Sequence, residues 1–357
     1  MMLRARWGVI AAILSARAGS IEARVEFSDA PEESGPALAY PELTGPIAVG
    51  DRVLVNTTAV HLRLGTGGLH FIMAVDRGEP SLPPPGPGHI MKLRYTPLQQ
   101  AVLTAEERAT AGELTLPEEL GGTPVVAAEL HSQVAAVAAG IRATAPAARV
   151  AYVMPDAAAL PLALSHLIPR LRKAGLIHTT LTCGQSFGGD LEAVSVPSAL
   201  VAAKAAGADV ILVAQGPGNA GTGTPLGFSG IAQADWLNAA HSLGGVPVAA
   251  LRLSFADARP RHQGVSHHSL TVLGRFTLCP AVVAVPLLPD PLARQIGSQL
   301  AMLPARHTIE MHDGEPALAL LASLGVAVTT MGRSVEAERA FFLAAGAAGV
   351  AAARRLG

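Results

Sequence analysis

From Gly121 onward, apolar runs of strand length alternate with Ala- and Leu-rich stretches of helical length. The strand-like runs are Val125–Leu130, Val150–Met154, Ile177–Thr182, Asp209–Ala214, Val246–Leu253, Ala281–Pro286 and Thr308–Met311. The helix-like stretches are 132–145, 157–174, 192–206, 231–243, 289–302, 315–324 and 335–355. Near-continuous apolar strands that alternate with helices indicate a parallel sheet covered on both faces. We therefore predict a doubly wound, mostly parallel, Rossmann-like α/β domain over residues 121–357.

The N-terminal part of the chain has a different pattern, because its strands follow one another without helices between them. The clearest strands are Trp7–Leu14, Ile21–Phe27, Asp51–Asn56 and Leu69–Val75. Short strands separated by Gly, Pro and Asp turns predict a small β-barrel-like domain over residues 1–98. Within it, the Pro- and Gly-rich segment 76–88 predicts a loop or linker. The helical pattern in 99–120 predicts a connecting segment. Two domains suit 357 residues, since a single core rarely grows that large.

The first eighteen residues allow two interpretations. Basic residues, a short apolar stretch and Ala-Arg-Ala before Gly19 resemble a signal peptide. The alternative is a strand over Trp7–Leu14 that turns into a second strand over Ile21–Phe27. We favour the strand pair, because the apolar run is short for a signal peptide and the next segment pairs with it well as a hairpin.

Composition excludes several classes of protein. Half of the residues are hydrophobic and 15% are charged, which excludes a disordered chain. A net charge of −1 argues against a nucleic-acid partner and against binding to an anionic membrane. After the N-terminal segment, no stretch has the ~20 uninterrupted apolar residues of a membrane span. The two cysteines, Cys183 and Cys279, are too few for a disulfide framework and favour a reducing compartment. We therefore expect a cytoplasmic protein.

A long glycine-rich loop, residues 215–230, follows the strand Asp209–Ala214. Loops of this length in compact domains are usually functional. Glycines let the backbone approach a ligand closely, and amides at a helix N-terminus attract anions. We expect the loop to hold a small anionic substrate, a phosphate or a carboxylate; a purely structural loop is the alternative. The candidate ligand-binding residues are Gln215, Gly216, Gly218, Asn219, Gly221, Thr222, Gly223 and Thr224.

Residues 216–221 also match the literal GxGxxG pattern of dinucleotide-binding proteins. That fingerprint requires a helix that opens directly from the glycines and an acidic residue about 20 positions further on, at the end of the next strand. Here the loop continues to Gly230, Asp235 lies at the start of a helix, and Pro217 removes an amide. NAD(P) is therefore not expected, and the cofactor stays open.

Long polar loops follow several other predicted strands, whereas the helix-to-strand turns are short. The carboxyl ends of parallel strands share one edge, where ligands bind. We therefore expect one cluster of His131, Gln185, Asp190, Asn219, Thr222, His267 and His268. The candidate catalytic residues are His131, Asp190, His267 and His268. Of these, His267 or His268 is the expected proton carrier, oriented by Asp190. Cys183, at a strand end, is an alternative nucleophile or an inert core cysteine.

Two further groups of side chains allow more than one interpretation. His262, His267, His268 and Asp257 form the densest set of possible metal ligands, but they lack a periodic spacing such as HExxH. We expect no metal and keep these four residues as the alternative. Lys92 and Arg94, in segment 86–97, are expected to face the site and to grip an anion together. The alternative is two solvated charges on an edge strand.

The motifs resemble those of a bacterial family, the domain of unknown function 3866. The segments that resemble the family are AYPELTGP (39–46), GDRVLVNTTAV (50–60), LGTGGLHF (64–71), GPGHIMKLRYTPLQ (86–99), ELHSQ (129–133), GQSFGGDLEAV (184–194), QGPGNAGTGTPLGFSG (215–230) and HQGVSHHSLTVL (262–273). The resemblance implies no activity. Residues 244–291 are also faintly similar to component B of glycine/betaine reductase. Because no Cys stands at 215–221, where the selenocysteine of that group would fall, this similarity implies shared architecture only.

Taken together, these features predict a cytosolic enzyme that acts on a small anionic substrate held by the glycine-rich loop. The alternative is a non-catalytic ligand sensor or a partner-binding protein. A homo-oligomer is possible in either case.

Overall fold

The computed structural model describes residues 3–64, 67–78 and 86–356. The chain divides into two compact units, Met1–Pro87 with Leu93–Ala101 and Gly88–Lys92 with Val102–Gly357. The predicted domain limits 1–98, 99–120 and 121–357 stay a prediction. Residues 79–85, most of the predicted linker, and Gly65 and Thr66 of the LGTGGLHF segment lie outside the described residues.

In the first unit, the described residues form a closed barrel with strand order β1-β2-β3-β5-β4. Its strands are β1 (Ala5–Arg17), β2 (Ser20–Glu26), β3 (Gly35–Ala39), β4 (Arg52–Asn56) and β5 (His70–Val75). Neighbouring strands are antiparallel except β3 and β5, which are parallel. Two short helices, α1 (Pro41–Thr44) and α2 (Thr58–His61), connect them. The predicted barrel-like domain is therefore confirmed.

The first two barrel strands form the hairpin that the sequence predicts. Gly19 adopts φ 76° in the turn, where glycine has no steric penalty. Side chains alternate between the barrel interior and its outside, as the period of two in a strand requires. Strand β3 is absent from the predictions, because Gly35 and Pro36 at its start are turn-forming residues. The buried core consists of Ile10, Ala23, Val25, Phe27, Ala30, Ala37, Ala39, Ile47, Val53, Val55 and Ile72.

Two short strands, β6 (Ile90–Lys92) and β7 (Gln100–Val102), and helix α3 (Ala105–Thr110) precede the main sheet along the chain. The strands of that sheet are β8 (Pro124–Ala128), β9 (Val150–Met154), β10 (Thr179–Cys183), β11 (Leu191–Ala193), β12 (Val210–Ala214), β13 (Val246–Ala250), β16 (Val282–Pro286) and β17 (Thr308–His312). A small antiparallel pair, β14 (Leu253–Ser254) and β15 (Gly264–Val265), lies apart from it. In the described residues the main sheet has the order β11-β10-β9-β12-β8-β13-β16-β17, and all of its pairings are parallel.

Helices cover both faces of this sheet. The remaining helices are α4 (Val134–Thr144), α5 (Leu167–Lys173), α6 (Val196–Ala205), α7 (Gln233–Ser242), α8 (His267–Thr271), α9 (Leu292–Leu300), α10 (Glu315–Ser323) and α11 (Arg339–Ala353). Alternate residues of each central strand belong to two hydrophobic clusters. One cluster contains residues of α4, α5, α10 and α11, and the other contains residues of α6, α7 and α9, with Leu270 of α8 packed against it. The doubly wound architecture is therefore confirmed.

Three predicted helices are shorter than their patterns indicate. The stretch 157–174 holds a 3₁₀ turn at Leu162–Leu164 before α5, since the Ser165 hydroxyl accepts from the amides that open a new helix. The stretch 99–120 is helical only in α3, which ends before Gly112 at φ 76°. Helix α6 is preceded by the extra strand β11, and Ser195 caps its start. In each case a local cap decides where the helix begins or ends.

The strand order places β8 between β12 and β13. The chain leaves β8 through α4 on one face, but it leaves β12 and β13 through α7 and α8 on the opposite face. The loops beyond β8 and its neighbours therefore part in opposite directions. Such a topological switch point opens a crevice beyond the carboxyl ends of the strands, which is where open α/β sheets bind ligands.

Among the described residues, no helix is both long enough and apolar enough to cross a membrane.

Candidate functional site

A buried charge pair occupies the switch point. Glu129 directly follows β8, and Arg252 lies two residues after β13. Arg252 Nη1 donates to Glu129 Oε1 at 2.9 Å, and Nδ1 of His268 lies 2.5 Å from the same oxygen. All three residues are buried. Burial by itself would raise the pKa of Glu129, but the His268 hydrogen bond and the Arg252 charge outweigh it and hold that pKa below its ordinary value.

The second oxygen of this carboxylate is unused. Glu129 Oε2 is buried and has no hydrogen-bond partner among the described residues. Buried polar atoms are rarely left unpaired in native proteins, so such an atom needs an explanation. Gly230 packs against the same side chain, because a Cβ on that glycine would lie 2.2 Å from Glu129 Cγ. The close contact with Gly230 and the hydrogen bonds to Oε1 therefore fix the position of the carboxylate, and Oε2 is left as an unpaired acceptor.

Three histidines gather beside Glu129. One ring nitrogen from each of His262, His267 and His268 lies within 4.8 Å of the other two. Helix α8 begins at His267, and the Ser266 side chain caps it by accepting from the His268 amide. Ser266 Oγ also lies 2.8 Å from Nδ1 of His262. The Phe228 ring stacks on His268 at 3.7 Å with an interplanar angle of 5°, which fixes the plane of that imidazole.

The surroundings keep two of these imidazoles neutral near pH 7. Burial, followed by the charges of Arg252 and Arg259, lowers the pKa of His262 to about 3. The pKa of His267 is lowered by burial, then by His268 and by the charge of Arg261. His267 is only partly buried, but its Nε2 atom is buried and has no hydrogen-bond partner in the described parts of the chain. His267 is therefore the least constrained of the three side chains.

Asp257 does not join the histidines. Its Oδ2 accepts from Arg259 Nη2 at 2.6 Å, and its Oδ1 accepts from the backbone amide and Nε of Arg259. The Arg259 hydrogen bonds hold the pKa of Asp257 well below its ordinary value. The alternative of four metal ligands is therefore corrected, because Arg259 already satisfies the carboxylate of Asp257.

The glycine-rich loop is connected to the site at both of its ends. Gln215 Nε2 donates to the Glu129 carbonyl at 2.8 Å and to Asn219 Oδ1 at 2.6 Å, while Phe228 covers His268. The loop between these ends is mostly solvent-exposed, and Gly216 alone of its candidate glycines is buried. Thr222 and Thr224 bond to each other and close the loop on itself. Of the candidate loop residues, Gln215 and Gly216 are buried and Asn219 is partly buried, and the exposed ones are Gly218, Gly221, Thr222, Gly223 and Thr224.

His131 lies on the other side of Gln215. Its Nδ1 is 3.2 Å from the Tyr152 hydroxyl, and its Nε2 is 2.8 Å from Ser165 Oγ. The Tyr152 hydroxyl in turn donates to the Ala214 carbonyl at 2.9 Å. Burial lowers the pKa of His131 to about 4, so the ring is neutral at physiological pH. Both of its ring nitrogens already have hydrogen-bond partners, which is typical of a structural residue that holds the strand ends together.

The structure does not bring the other predicted residues to this group. Asp190 accepts from Arg172 at 2.7 Å and from the Thr180 amide at 2.9 Å, because the loop after β10 folds back toward the start of that strand. This corrects the expected pairing of Asp190 with a histidine, and Glu129 is the carboxylate that His268 contacts. Gln185 follows β10, and β9 and β12 separate β10 from β8.

Lys92 and Arg94 also lie elsewhere. Lys92 is fully buried, and its Nζ lies 3.1 Å from Glu192 Oε2 and 3.1 Å from the Ala193 carbonyl on the edge strand β11. The expectation that Lys92 binds an anion is therefore corrected, because its charge is already paired with Glu192. Arg94 belongs to the first compact unit.

The thiol of Cys183 is buried in the sheet, and burial raises its pKa to about 12. A thiol with this pKa holds its proton at neutral pH, which favours the inert alternative over a nucleophile.

Two site residues were missed by the sequence predictions, namely Glu129 and Arg252. Each is a lone charge inside an otherwise apolar run, VVAAEL for the glutamate and VAALRLSF for the arginine. Charged residues are almost never fully buried unless they are paired. Two such interruptions at the ends of two predicted strands were the signal that could have identified the pair.

Comparison with known proteins places the chain in one family. Residues 36–349 match a family model described as a protein of unknown function (DUF3866). No curated protein and no solved structure matches the chain. The family match extends from β3 of the barrel to α11, so it covers most of the chain and confirms the resemblance seen in the sequence motifs. The chain belongs to the DUF3866 family of proteins of unknown function.

Proposed function

We propose that this protein is an enzyme that acts on a small anionic molecule bound at the switch-point crevice. One observation supports the proposal above all. The buried carboxylate of Glu129 keeps an unpaired oxygen beside the histidines, at the position where open α/β sheets bind ligands. That oxygen can accept a hydrogen bond or a proton from a bound molecule, whereas the affinity for an anion must come from a cation nearby.

The surroundings of the crevice favour an anion. Arg261 is exposed, and it lies close enough to His267 for its charge to lower the pKa of that imidazole. Arg252 is neutralised by Glu129, so Arg261 is the cation available to an incoming phosphate or carboxylate. The glycine-rich loop is joined to the same group of residues through Gln215, which donates to the Glu129 carbonyl, and through Phe228, which stacks on His268.

Binding is tested first. The thermal midpoint of the full chain is measured with inorganic phosphate, acetate, and a panel of small phosphorylated and carboxylated compounds. A ligand that binds only the folded state raises the midpoint by mass action. We expect at least one anion to do so, and Arg261→Ala to weaken its binding about tenfold or more, since charged hydrogen bonds contribute about 1.5–3 kcal/mol. The matched control is Arg294→Ala, an exposed arginine on α9.

Turnover is tested next by following the bound compound by NMR. Consumption of the compound by the wild type supports an enzyme, whereas tight binding without turnover indicates a ligand sensor instead. If no anion binds, or if Arg261→Ala binds as well as Arg294→Ala, the proposed anionic substrate is wrong.

We also propose a cytoplasmic location, because Cys183 and Cys279 are both free and buried thiols. The expectation of no nucleic-acid partner and the possible homo-oligomer stay predictions.

A further inference from the structure

We infer that His262, His267 and His268 together bind one divalent first-row transition metal ion, with Zn²⁺ as the reference ion. This inference goes beyond the proposed function, since it needs no anionic substrate.

The geometry of the three side chains is the first step. One ring nitrogen of each lies within 4.8 Å of the others. Tetrahedral zinc binds imidazole at about 2.0–2.1 Å, which puts two ligand nitrogens about 3.4 Å apart. Binding would therefore draw the three nitrogens, now within 4.8 Å of one another, to that separation. The ring centroids already lie between 4.4 and 5.1 Å apart.

The hydrogen bonds to two of these rings are the second step. Metal-binding histidines almost always donate their other ring nitrogen to a carboxylate, a carbonyl or a water molecule. Nδ1 of His268 lies 2.5 Å from Glu129 Oε1 and 3.0 Å from Arg252 Nη1, and the arginine nitrogen donates to that same carboxylate oxygen. Because the ionised carboxylate only accepts, its contact with His268 places the proton on Nδ1 and leaves the Nε2 lone pair for a ligand. Nδ1 of His262 lies 2.8 Å from Ser266 Oγ, and with the serine oxygen as acceptor the Nε2 of His262 is left for a ligand.

His267 supplies the third and independent observation. Its Nε2 is buried and has no hydrogen-bond partner among the described residues. A metal ion held by the three rings satisfies this nitrogen. The ion also explains why three imidazoles lie in contact with one another around an N-cap.

The donor set selects the class of ion. Imidazole suits Zn²⁺, Fe²⁺, Co²⁺, Ni²⁺ and Cu²⁺, whereas Ca²⁺ and Mg²⁺ prefer oxygen ligands. Three protein ligands leave a position open for water or substrate, as catalytic zinc sites do. The charges of Glu129 and Arg252 cancel each other beside the three rings.

The test uses the full chain after dialysis against a chelator and then against chelator-free buffer. Isothermal titration with Zn²⁺ is expected to give one site per chain. His267→Gln should weaken binding at least 100-fold, while Glu129→Gln should weaken it 10- to 100-fold by releasing His268. His241→Gln, an exposed histidine on α7, is the matched control and should bind as the wild type does.

A second measurement needs no variant and so does not depend on folding of the mutants. X-ray absorption at the zinc edge of the loaded wild type should show three imidazole ligands at about 2.0–2.1 Å. Fewer than three imidazoles, no saturable site, or equal affinities of His267→Gln and His241→Gln would overturn the inference. An absence of anion binding would count only against the proposed function, because this titration contains no anionic ligand.

Discussion

Helices α4 and α11 pack so closely that a single methyl group should disturb the whole second unit. A Cβ on Gly140 of α4 would lie 2.3 Å from the carbonyl oxygen of Gly346 on α11 and 3.2 Å from the amide nitrogen of Val350. Ordinary contact begins at 3.4 Å, so the helices would have to separate by about 1 Å. The substitution Gly140→Ala tests this packing.

The loss of stability expected for Gly140→Ala can be compared with the gain expected for a second glycine-to-alanine substitution. Overpacking a well-packed core costs about 1–3 kcal/mol, and the contact with backbone at 2.3 Å puts Gly140→Ala at the upper end of that range. The higher helix propensity of alanine offsets about 1 kcal/mol, which leaves an expected net loss of about 2 kcal/mol. The matched control is Gly297→Ala on α9, where an added Cβ meets nothing within 4 Å. That variant should be more stable than the wild type by about 0.4–1 kcal/mol. The two variants should therefore move in opposite directions.

Urea unfolding in a Trp7→Phe background measures the difference, because Trp236 on α7 is then the single tryptophan and it is buried in the second unit. Stability changes appear as shifts of the unfolding midpoint at constant slope. An unchanged or higher midpoint for Gly140→Ala would refute the reasoning, as would a shift of both variants in the same direction. The packing matters for the site because α4 continues directly from Gln133, whose side chain donates to the Leu251 carbonyl at 3.0 Å.

Two further predictions concern His131, whose ring lies near the end of β12, and the buried Lys92–Glu192 pair at the edge of the sheet. Since burial lowers the pKa of His131 from 6.5 to about 4, its contribution to stability is complete above pH 6.5 and is lost as the pH falls toward 4. The free energy of unfolding of the wild type should therefore fall faster than that of His131→Gln, by up to about 1.4 kcal/mol per pH unit, in urea titrations between pH 6.5 and 4; parallel curves would contradict the shift. Lys92→Met should destabilise the chain by about 3–5 kcal/mol, because it leaves the Glu192 carboxylate buried without its cation. Adding Glu192→Gln should restore most of that loss, and a double variant as unstable as the single one would show that the charge is not the cause.

The sequence predicts the site in part. The three histidines lie within seven residues, and Ser266 between them is a good helix cap, so their proximity is a local property of the chain. Their buried partners are not local. Glu129 and Arg252 are 123 positions apart, and only the pairing of β8 with β13 brings them together. Asp190 shows the reverse error. It follows a strand as the other candidates do, but its loop folds back and its carboxylate accepts from the Thr180 amide.

The sequence by itself determines where the central strands and most helices of the second unit lie, that the sheet is parallel and covered on both faces, and that a small barrel precedes it, whereas the short strands β3 and β11 are not evident in it. These features follow from hydrophobic periodicity and turn residues, and a window of about fifteen residues is long enough to show both. The tertiary structure alone decides the order β12-β8-β13, and with it the switch point and the identity of the carboxylate that meets His268. Strand order follows from long-range packing of helices on both faces, and the apolar strands are too alike in sequence to specify their neighbours. The burial of Glu129 with Arg252 is likewise decided by pairing, because a charge is stable inside the protein only where its partner arrives from a distant strand.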